Sequence, residues 1–318
     1  MNRNASKLIG LTLILGLFLA CGNKPKNGRT DTFSSGTASF TCDESFSPIL
    51  DEQVQIFQND YPLAEVKAIY TNELDAINRL LEGKVWLAIT TRKFKDKEIQ
   101  NLKDRKFVPR AIPIAYDGLA IIVNNSNPDT CITVKDFARI LRGEAKNWSD
   151  VYPKSRLGEI DVVFDNPQSS TVHYCVDSIL DGRPINSPNI TAVQKSEEVI
   201  NYVEKHANSI GIIGSNWLND KRDTTNVTFN KNITVMKVSK MDTATVANSW
   251  RPYQYYLYNG NYPLVRTIYA LLNDPRRGLP WGFAQFCASP KGQLIFFHSG
   301  LLPVRGDMTI REVNVNVE

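Results

Sequence analysis

The sequence lacks the residue patterns on which most enzyme and metal-site predictions depend. Three of its 318 residues are histidine, and its five cysteines form no Cys-x-x-Cys pair, so neither a histidine-rich metal site nor a zinc or thioredoxin-like motif is indicated. The phosphate-binding loop of nucleotide hydrolases, the dinucleotide-binding glycine pattern, the zinc-peptidase motif and the nucleophile elbow are missing as well. The sequence therefore predicts no enzyme, no metal and no cofactor.

The composition is that of a soluble globular protein, and it excludes several other classes. With 18 glycines, 16 prolines, no internal repeat, no low-complexity block and no run of charge, the chain is neither collagen-like nor wholly disordered. The formal net charge of +4 falls to +2 when Arg3 and Lys7 are left out, which is no argument for binding nucleic acid. The length suffices for two domains of about 150 residues each.

The first 20 residues have the pattern of a secretory signal peptide. Residues 1–7 are positively charged, and residues 8–20 are largely apolar but fewer than the roughly 20 that a membrane-spanning helix needs. Residues 19–22 (LACG) resemble the lipoprotein box of bacteria, with Phe18 where leucine is usual.

The resemblance to the lipoprotein box implies that Cys21 carries the lipid, palmitate among its acyl chains, and that residues 21–36 form a flexible tether. We therefore expect a protein of the cell envelope, on the periplasmic or extracytoplasmic face and anchored to the inner or the outer membrane. An ordinary signal peptide that is cleaved elsewhere is the alternative.

The other four cysteines leave two possibilities open. Cys42, Cys131, Cys175 and Cys287 could form two disulfides in any of three pairings, since an exported protein meets an oxidising compartment. They could equally be buried free thiols.

Hydrophobic periodicity predicts alternating strands and helices. Strands are predicted at 39–41, 64–70, 85–90, 160–164 and 210–213, and a longer extended passage at 112–124 is broken at residues 117–118. Helices are predicted from Asp43 to residue 61, at 74–81, after Thr133, at 172–179 and after Ser196, with Thr133 and Ser196 as N-caps. Such alternation is typical of an α/β fold with mainly parallel sheets.

Five segments in order resemble the phosphate-binding proteins of ABC importers. They are residues 117–124 (DGLAIIVN), 137–151 (FARILRGEAKNWSDV), 210–214 (IGIIG), 262–266 (YPLVR) and 286–304 (FCASPKGQLIFFHSGLLPV), within a likeness that runs from Thr37 to Val304.

The resemblance implies a two-lobed periplasmic-binding-protein fold of type II. Each lobe would be a mainly parallel sheet flanked by helices, and a hinge of crossing strands would join them. Residues 37–120 with 216–318 would form the first lobe, and residues 121–215 the second. Also implied are a monomer, inorganic phosphate or a related oxyanion as ligand, and the permease subunits of an ABC transporter as partner.

Three strand-to-helix turns are the predicted oxyanion site, because helix starts offer aligned N–H donors. The resemblance implies that the ligand-binding residues are Ser45, Phe46, Thr91, Arg92, Ser169, Ser170 and Thr171. Arg92 would supply the charge. Glu44 or Asp165 could accept a proton from phosphate. Serine and threonine at these places could also be ordinary N-caps.

The third turn departs from the family pattern. Asp165 and Val172 stand where many relatives have arginine, and Gln168 and Ser170 stand where they have glycine. A site with one arginine and several acids could prefer a different ligand, so a sensor or adaptor on the same fold, with a different or lost ligand, is the alternative function. A secreted phosphatase is disfavoured, because no metal cluster or activated nucleophile can be assembled.

Overall fold

The structure, a computed structural model, describes residues 28–218 and 229–305. The predicted signal peptide, the predicted lipidation site Cys21 and the first part of the predicted tether lie outside the described residues.

The strands of the described residues are numbered in chain order. They are β1 (Gly36–Asp43), β2 (Ala64–Thr71), β3 (Leu87–Thr90), β4 (Arg110–Asn124), β5 (Cys131–Thr133), β6 (Asp161–Phe164), β7 (Ile190–Ala192), β8 (Ser209–Gly214), β9 (Ile233–Val235), β10 (Lys237–Ser239), β11 (Val265–Leu272) and β12 (Leu302–Pro303).

The helices alternate with these strands, as the periodicity predicts. They are α1 (Ser47–Asp60), α2 (Glu73–Leu81), α3 (Asp96–Asp104), α4 (Val134–Leu141), α5 (Ser170–Tyr174), α6 (Ser196–Lys205), α7 (Gln254–Tyr258), α8 (Leu279–Cys287) and α9 (Pro290–His298). A 3-10 turn at Glu44–Phe46 precedes α1, and a π-helical turn at Cys175–Ile179 continues α5.

The main sheet of the described residues has the strand order β2-β1-β3-β11-β4-β8-β6-β7, and β9 and β12 pair with β4. At one end β1 pairs in parallel with β2 and β3, and at the other β6 pairs in parallel with β7 and β8. Between these two groups lie β11 and β4, which are antiparallel to their neighbours. The result is an α/β fold with a mixed sheet, built from two mainly parallel halves.

Strand β4 crosses from one half to the other. Up to Gly118 it pairs with β11, and from Leu119 onward it pairs with β8. The predicted break at residues 117–118 is therefore a change of strand partners within one continuous strand.

Helices cover both faces of each half. In the first half, Phe40, Phe57 and Phe283 pack against one another on the face of α1, α8 and α9, with centroid distances of 5.0 and 5.4 Å. Ile77 of α2 and Leu102 of α3 lie on the opposite face. In the second half, α4 and α5 cover one face and α6 covers the other.

The residues buried in the core of the second half indicate which segments belong to the second lobe. The boundaries expected from the sequence, 37–120 with 216–318 and 121–215, stay a prediction. Met236, Val238, Leu257 and Tyr262, however, pack in the same core as Ile121 of the second half. We therefore propose that residues 233–264 belong to the second lobe.

Two helix starts and the cysteines complete the comparison with the sequence. Thr133 caps α4 by accepting a hydrogen bond from the N–H of Asp136, as predicted. Ser196 is instead the first residue of α6, and Lys195 stands at the N-cap.

The four described cysteines are free thiols. Among the described residues, none of the helices combines the length and the apolar character that crossing a bilayer requires.

Candidate functional site

The carboxyl ends of β1, β3 and β6 continue into the three polar turns that the sequence singles out. In open α/β sheets, ligands bind outside the carboxyl ends of the strands. The contacts among these turns are therefore where a ligand site is expected.

The first turn is organised around the buried carboxylate of Asp43. The N–H of Ser45 donates to Asp43 Oδ1 at 2.9 Å, and the hydroxyl of Ser45 donates to the same oxygen. Ser45 Oγ also lies 3.2 Å from Asp165 Oδ2, on the other lobe. One serine hydroxyl thus lies between two carboxylates.

The third turn is organised around Asp165, which is 2% exposed. The hydroxyls of Ser169 and Thr171 donate to Asp165 Oδ1 at 2.6 and 2.5 Å. Ser169 also caps α5 by accepting from the N–H of Val172 at 3.4 Å. Asp165, in the place of the family's arginine, is therefore an acceptor for the hydroxyls of its own turn.

Ser170 joins the two turns. Its N–H donates to Asp43 Oδ2 at 2.9 Å, and its hydroxyl accepts from Arg266 Nη1 at 2.9 Å. The carboxylate of Asp43 therefore accepts a hydrogen bond from a backbone N–H of the kind that an oxyanion would use. Burial, with the neighbouring carboxylates of Asp165 and Glu73, raises the pKa of Asp43 to about 7.

Arg266 on β11 brings a buried positive charge to this cluster. Its Nε donates to Asp117 Oδ2 at 2.9 Å, and its guanidinium lies over the ring of Phe46 at 5.0 Å. Its Nη2 is 2.8 Å from the same Asp117 oxygen, yet it makes no hydrogen bond with acceptable angles to any described residue. Arg266 Nη2 is therefore held by the charge of Asp117 without a hydrogen bond to any described residue.

Gly214 makes the close approach of this ion pair possible. A Cβ at Gly214 would lie 3.0 Å from Arg266 Nη2 and 3.1 Å from Asp117 Oδ2. Both distances are shorter than van der Waals contact, so a side chain here would displace the pair.

The second turn connects to the cluster through Glu73 at the start of α2. Glu73 Oε1 accepts from the N–H and the hydroxyl of Thr91 at 2.6 and 2.8 Å, and Oε2 lies 2.8 Å from His173 Nδ1 on α5. Burial acts to raise the pKa of Glu73, but the hydrogen bonds from His173 and Thr91 outweigh it and the pKa is lowered.

Arg92 lies apart from the cluster. Its guanidinium forms a two-pronged ion pair with Glu98 at 2.7 and 2.9 Å, and Nη1 also donates to the carbonyl of Lys93. The role assigned to Arg92 from the sequence stays a prediction. Arg266, unlike Arg92, contacts a residue of the third turn, Ser170.

Glu44 makes a contact between the lobes at the start of α6. Its Oε2 accepts from the N–H and the hydroxyl of Ser196 at 3.1 and 2.9 Å, at the start of α6 on the other lobe. Burial raises the pKa of Glu44 although Ser196 donates to it. Glu44 therefore connects the two lobes, and its role as an acceptor for a proton of phosphate stays a prediction.

The structure thus brings together Ser45, Ser169, Ser170 and Thr171, around Asp43 and Asp165. Phe46 lies under the guanidinium of Arg266, and Thr91 is connected through Glu73. Whether these residues bind a ligand stays a prediction.

Sequence reasoning missed the roles of Arg266, Asp117, Glu73 and His173 at this site. Asp117 and Arg266 do lie in two of the segments that carry the family resemblance, residues 117–124 and 262–266. A buried Asp-Arg pair could have been sought there, but nothing local to Glu73 or His173 marks them.

The arrangement has the kinds of groups that an oxyanion bearing a proton would need. It offers hydroxyl, amide and guanidinium donors for oxygens, and carboxylate acceptors for a proton of the ligand. Within residues 28–218 and 229–305, no cluster of histidine, cysteine and acidic side chains could hold a metal ion.

Comparisons with known proteins agree with this architecture. The sequence model of the PBP superfamily domain matches residues 27–291. The phosphate-binding protein PstS of Staphylococcus saprophyticus is 24% identical over 281 residues, 87% of this chain and 81% of that protein. PstS of Pseudomonas aeruginosa is 24% identical over 285 residues, 85% of this chain and 84% of that protein.

Two solved structures show the same fold. An ABC-type phosphate transport receptor from Vibrio cholerae has a TM-score of 0.65 at 19% identity, over 84% of this chain and 100% of that chain. PstS from Borrelia burgdorferi has a TM-score of 0.53 at 22% identity, over 86% of this chain and 100% of that chain. The two-lobed α/β fold and the resemblance to phosphate-binding proteins are thereby confirmed.

Proposed function

We propose that this protein captures inorganic phosphate between its two lobes and delivers it to an ABC importer. The chain belongs to the PBP superfamily domain family, and the proposal proceeds from that membership. The observation that carries the proposal is the meeting of donors from both lobes at one place. Ser45 and Arg266 come from the first half of the sheet, and Ser170 comes from the second.

The charge of the site favours a ligand that carries a proton. Asp43 and Asp165 would repel a fully ionised oxyanion, but either carboxylate can accept a hydrogen bond from a phosphate hydroxyl. Sulfate at neutral pH has no proton to offer. We therefore expect phosphate to bind and sulfate to bind poorly or not at all.

Capture occurs by closure of the lobes. The contacts Ser45–Asp165, Ser170–Asp43, Glu73–His173 and Glu44–Ser196 all join residues from opposite halves of the sheet. A ligand that replaces Asp43 at the Ser170 amide would contact both lobes at once. Such a ligand favours the closed form by its greater affinity for it.

We further propose that the protein works at the outer face of a membrane, held there by a lipid on Cys21. The charged and then apolar residues 1–20 and the LACG sequence at 19–22 support this placement.

The test is a calorimetric titration with phosphate, and with sulfate as the control anion. The protein is residues 22–318, which retain every described residue, after removal of bound ligand by partial unfolding and refolding. We expect phosphate to bind with a dissociation constant of about 1 μM or less.

A pair of helix caps gives a matched control for this titration. Ser169 and Ser289 each cap a helix, with the acceptor Oγ 3.4 and 3.3 Å from the capped N–H. Each alanine variant should lose about 1 kcal/mol of stability with its cap. Ser169→Ala should lose about 1 kcal/mol more, because Asp165 also loses a hydroxyl donor. Only Ser169→Ala should also weaken phosphate binding, by about tenfold or more.

A folded protein that binds neither anion would overturn the phosphate proposal. The alternative is a sensor or adaptor on the same fold with a different or lost ligand. What favours it is the carboxylate of Asp43 on the Ser170 amide, since Asp43 already takes the place that an anion would need.

A further inference from the structure

The end of the first half sheet that is remote from the candidate site is rich in arginine and aromatic side chains. Strand β4 begins at Arg110, which pairs with Leu272, the last residue of β11. Leu272 also pairs with Leu87, the first residue of β3, so all three strands have an end here. Asp43 and Thr90 end β1 and β3 at the opposite edge. This remote end therefore faces away from the cleft between the lobes.

Four arginines at this end lie over aromatic rings. Arg110 and Arg277 are 5.7 and 5.3 Å from the ring of Trp281. Arg105 is 5.2 Å from the ring of Phe107, and Arg29 is 5.1 Å from Trp86. Guanidinium groups held over partly exposed aromatic rings present positive charge beside apolar surface.

Positive charge prevails among the exposed side chains here. The exposed cations of this end surface are Lys84, Arg105, Lys106, Arg110, Arg276 and Arg277. The exposed acids at this end of the sheet are Asp104, Glu82, which pairs with Lys84, and Asp60 and Glu65, which pair with Lys291 and Lys67. Val108, 73% exposed, and Phe33, 44% exposed, add apolar side chains. We call these residues, with Trp86, Phe107 and Trp281, the basic end surface.

The N-terminal segment is fastened to the same surface. Arg29 forms ion pairs with Asp31 and Asp274, and Asp31 accepts from the N–H of Leu279 at 2.8 Å. Arg276 donates to the carbonyl of Arg29 at 2.6 Å. The chain therefore enters the fold at the remote end, not at the cleft.

The length of chain that precedes this point limits its distance from a membrane. Seven residues lie between Cys21 and Arg29, so the chain can span at most about 28 Å from one to the other. A lipid on Cys21 would consequently keep the basic end surface close to the headgroups of the bilayer.

We propose that the basic end surface binds the anionic headgroups of the membrane that holds the lipid anchor. Exposed arginines attract a negatively charged lipid surface, and tryptophan is enriched at the membrane–water interface. That this surface meets a membrane in the cell rests on the proposed lipid at Cys21. Its affinity for anionic lipid does not depend on that lipid. A protein bound in this way rests on its first lobe, and it must leave this surface or tilt before its cleft can meet an importer.

Sedimentation with lipid vesicles tests this surface without the lipid anchor. Residues 22–318, which lack Cys21, are mixed with vesicles of equal parts phosphatidylcholine and phosphatidylglycerol, or of phosphatidylcholine alone. Saturating inorganic phosphate is present throughout, so that the candidate site in the cleft cannot account for binding. We expect at least about fivefold more protein on the anionic vesicles.

Two triple variants with the same change of charge locate the interaction. In the first, Arg105, Arg110 and Arg277 become glutamine, and binding should fall to the level of phosphatidylcholine alone. In the second, the exposed Lys146, Lys154 and Arg156 of the second lobe become glutamine, and binding should stay within about twofold of the unaltered protein. Circular dichroism and thermal unfolding verify that both variants are folded.

Several results would overturn the proposal. They are equal binding to both kinds of vesicle, loss of binding in the second triple variant as large as in the first, or retention of binding in a folded first variant. A phosphate titration is unaffected by any of these results, so failure of this surface is distinguishable from failure of the proposed function.

Discussion

At the scale of single residues, two arginines, Arg92 and Arg266, differ in what they could contribute to the candidate site. Arg92 is paired with Glu98, and Arg266 is buried, hydrogen-bonded to Ser170 and left with a donor that no described residue accepts. Both arginines were visible in the sequence, but their partners were not.

Substitution of the two arginines separates their roles. The sequence predicts that Arg92→Ala weakens ligand binding at least about tenfold, through loss of a charged hydrogen bond. The contacts of Arg266 predict the same or a larger loss for Arg266→Gln. Titration of both variants with phosphate measures it. A tenfold loss at Arg92 with none at Arg266 would return the role to Arg92.

Stability must be measured alongside, because Arg266→Gln leaves Asp117 buried without its partner. Such a loss costs about 3–5 kcal/mol. The double variant Asp117→Asn with Arg266→Gln removes the unpaired charge, and should recover stability without recovering phosphate affinity.

Asp43 makes the stability of the protein depend on pH. Its carboxyl has a pKa of about 7 against an ordinary value of 3.8, so the folded protein holds this proton more tightly than the unfolded chain. The contribution to the free energy of unfolding is full below pH 3.8 and is lost as the pH rises to about 7, roughly 2–4 kcal/mol. In Asp43→Asn, urea unfolding between these pH values should show a flatter profile. A profile as steep as that of the unaltered protein would contradict the assignment.

At the scale of elements, helix α6 receives its N-terminal acceptor from the other lobe. Lys195 at the N-cap supplies no side-chain cap, and Glu44 accepts from the N–H and the hydroxyl of Ser196 instead. A carboxylate at a helix start is also favoured by the helix dipole. The cap of α6 is therefore available only when the lobes are closed.

Removal of this acceptor should favour the open form. We expect Glu44→Ala to increase the radius of gyration of the ligand-free protein in small-angle X-ray scattering, because one contact between the lobes is lost. Glu197→Ala is the matched control, since Glu197 is exposed in the first turn of the same helix. Equal effects of both variants would show that charge at α6, rather than contact between lobes, is responsible.

At the scale of the whole molecule, the proposed anchor decides where the protein works. Cys21→Ser should remove lipid labelling by palmitate and release the protein from the membrane fraction, because two or more acyl chains are needed for stable anchoring. Cys131→Ser, which alters a partly exposed free thiol, should leave both unchanged. A Cys21→Ser protein that keeps its label would place the lipid elsewhere.

The sequence predicted most of the fold correctly, and it marked the turns that meet between the lobes, whose binding of a ligand stays a prediction. Alternating strands and helices follow from local hydrophobic periodicity, which explains why β2 and α2 fall within a residue or so of their predicted bounds. Ser196 was misassigned as an N-cap because its acceptor, Glu44, lies 152 residues earlier in the chain.

The sequence by itself determined the family, the order of the elements and the serine and threonine side chains at the starts of helices, since these depend on neighbours along the chain. Only the tertiary structure decided that Asp43 and Asp165 share one cluster, that Arg266 brings the charge there, and that Arg92 turns to Glu98. Asp43 and Ser170 are 127 residues apart, and Arg266 and Asp117 are 149 apart. Asp43 and Ser170 meet only when both lobes have folded, and Arg266 meets Asp117 only when β11 pairs with β4. Burial, rather than local propensity, selects the partner of a charged side chain.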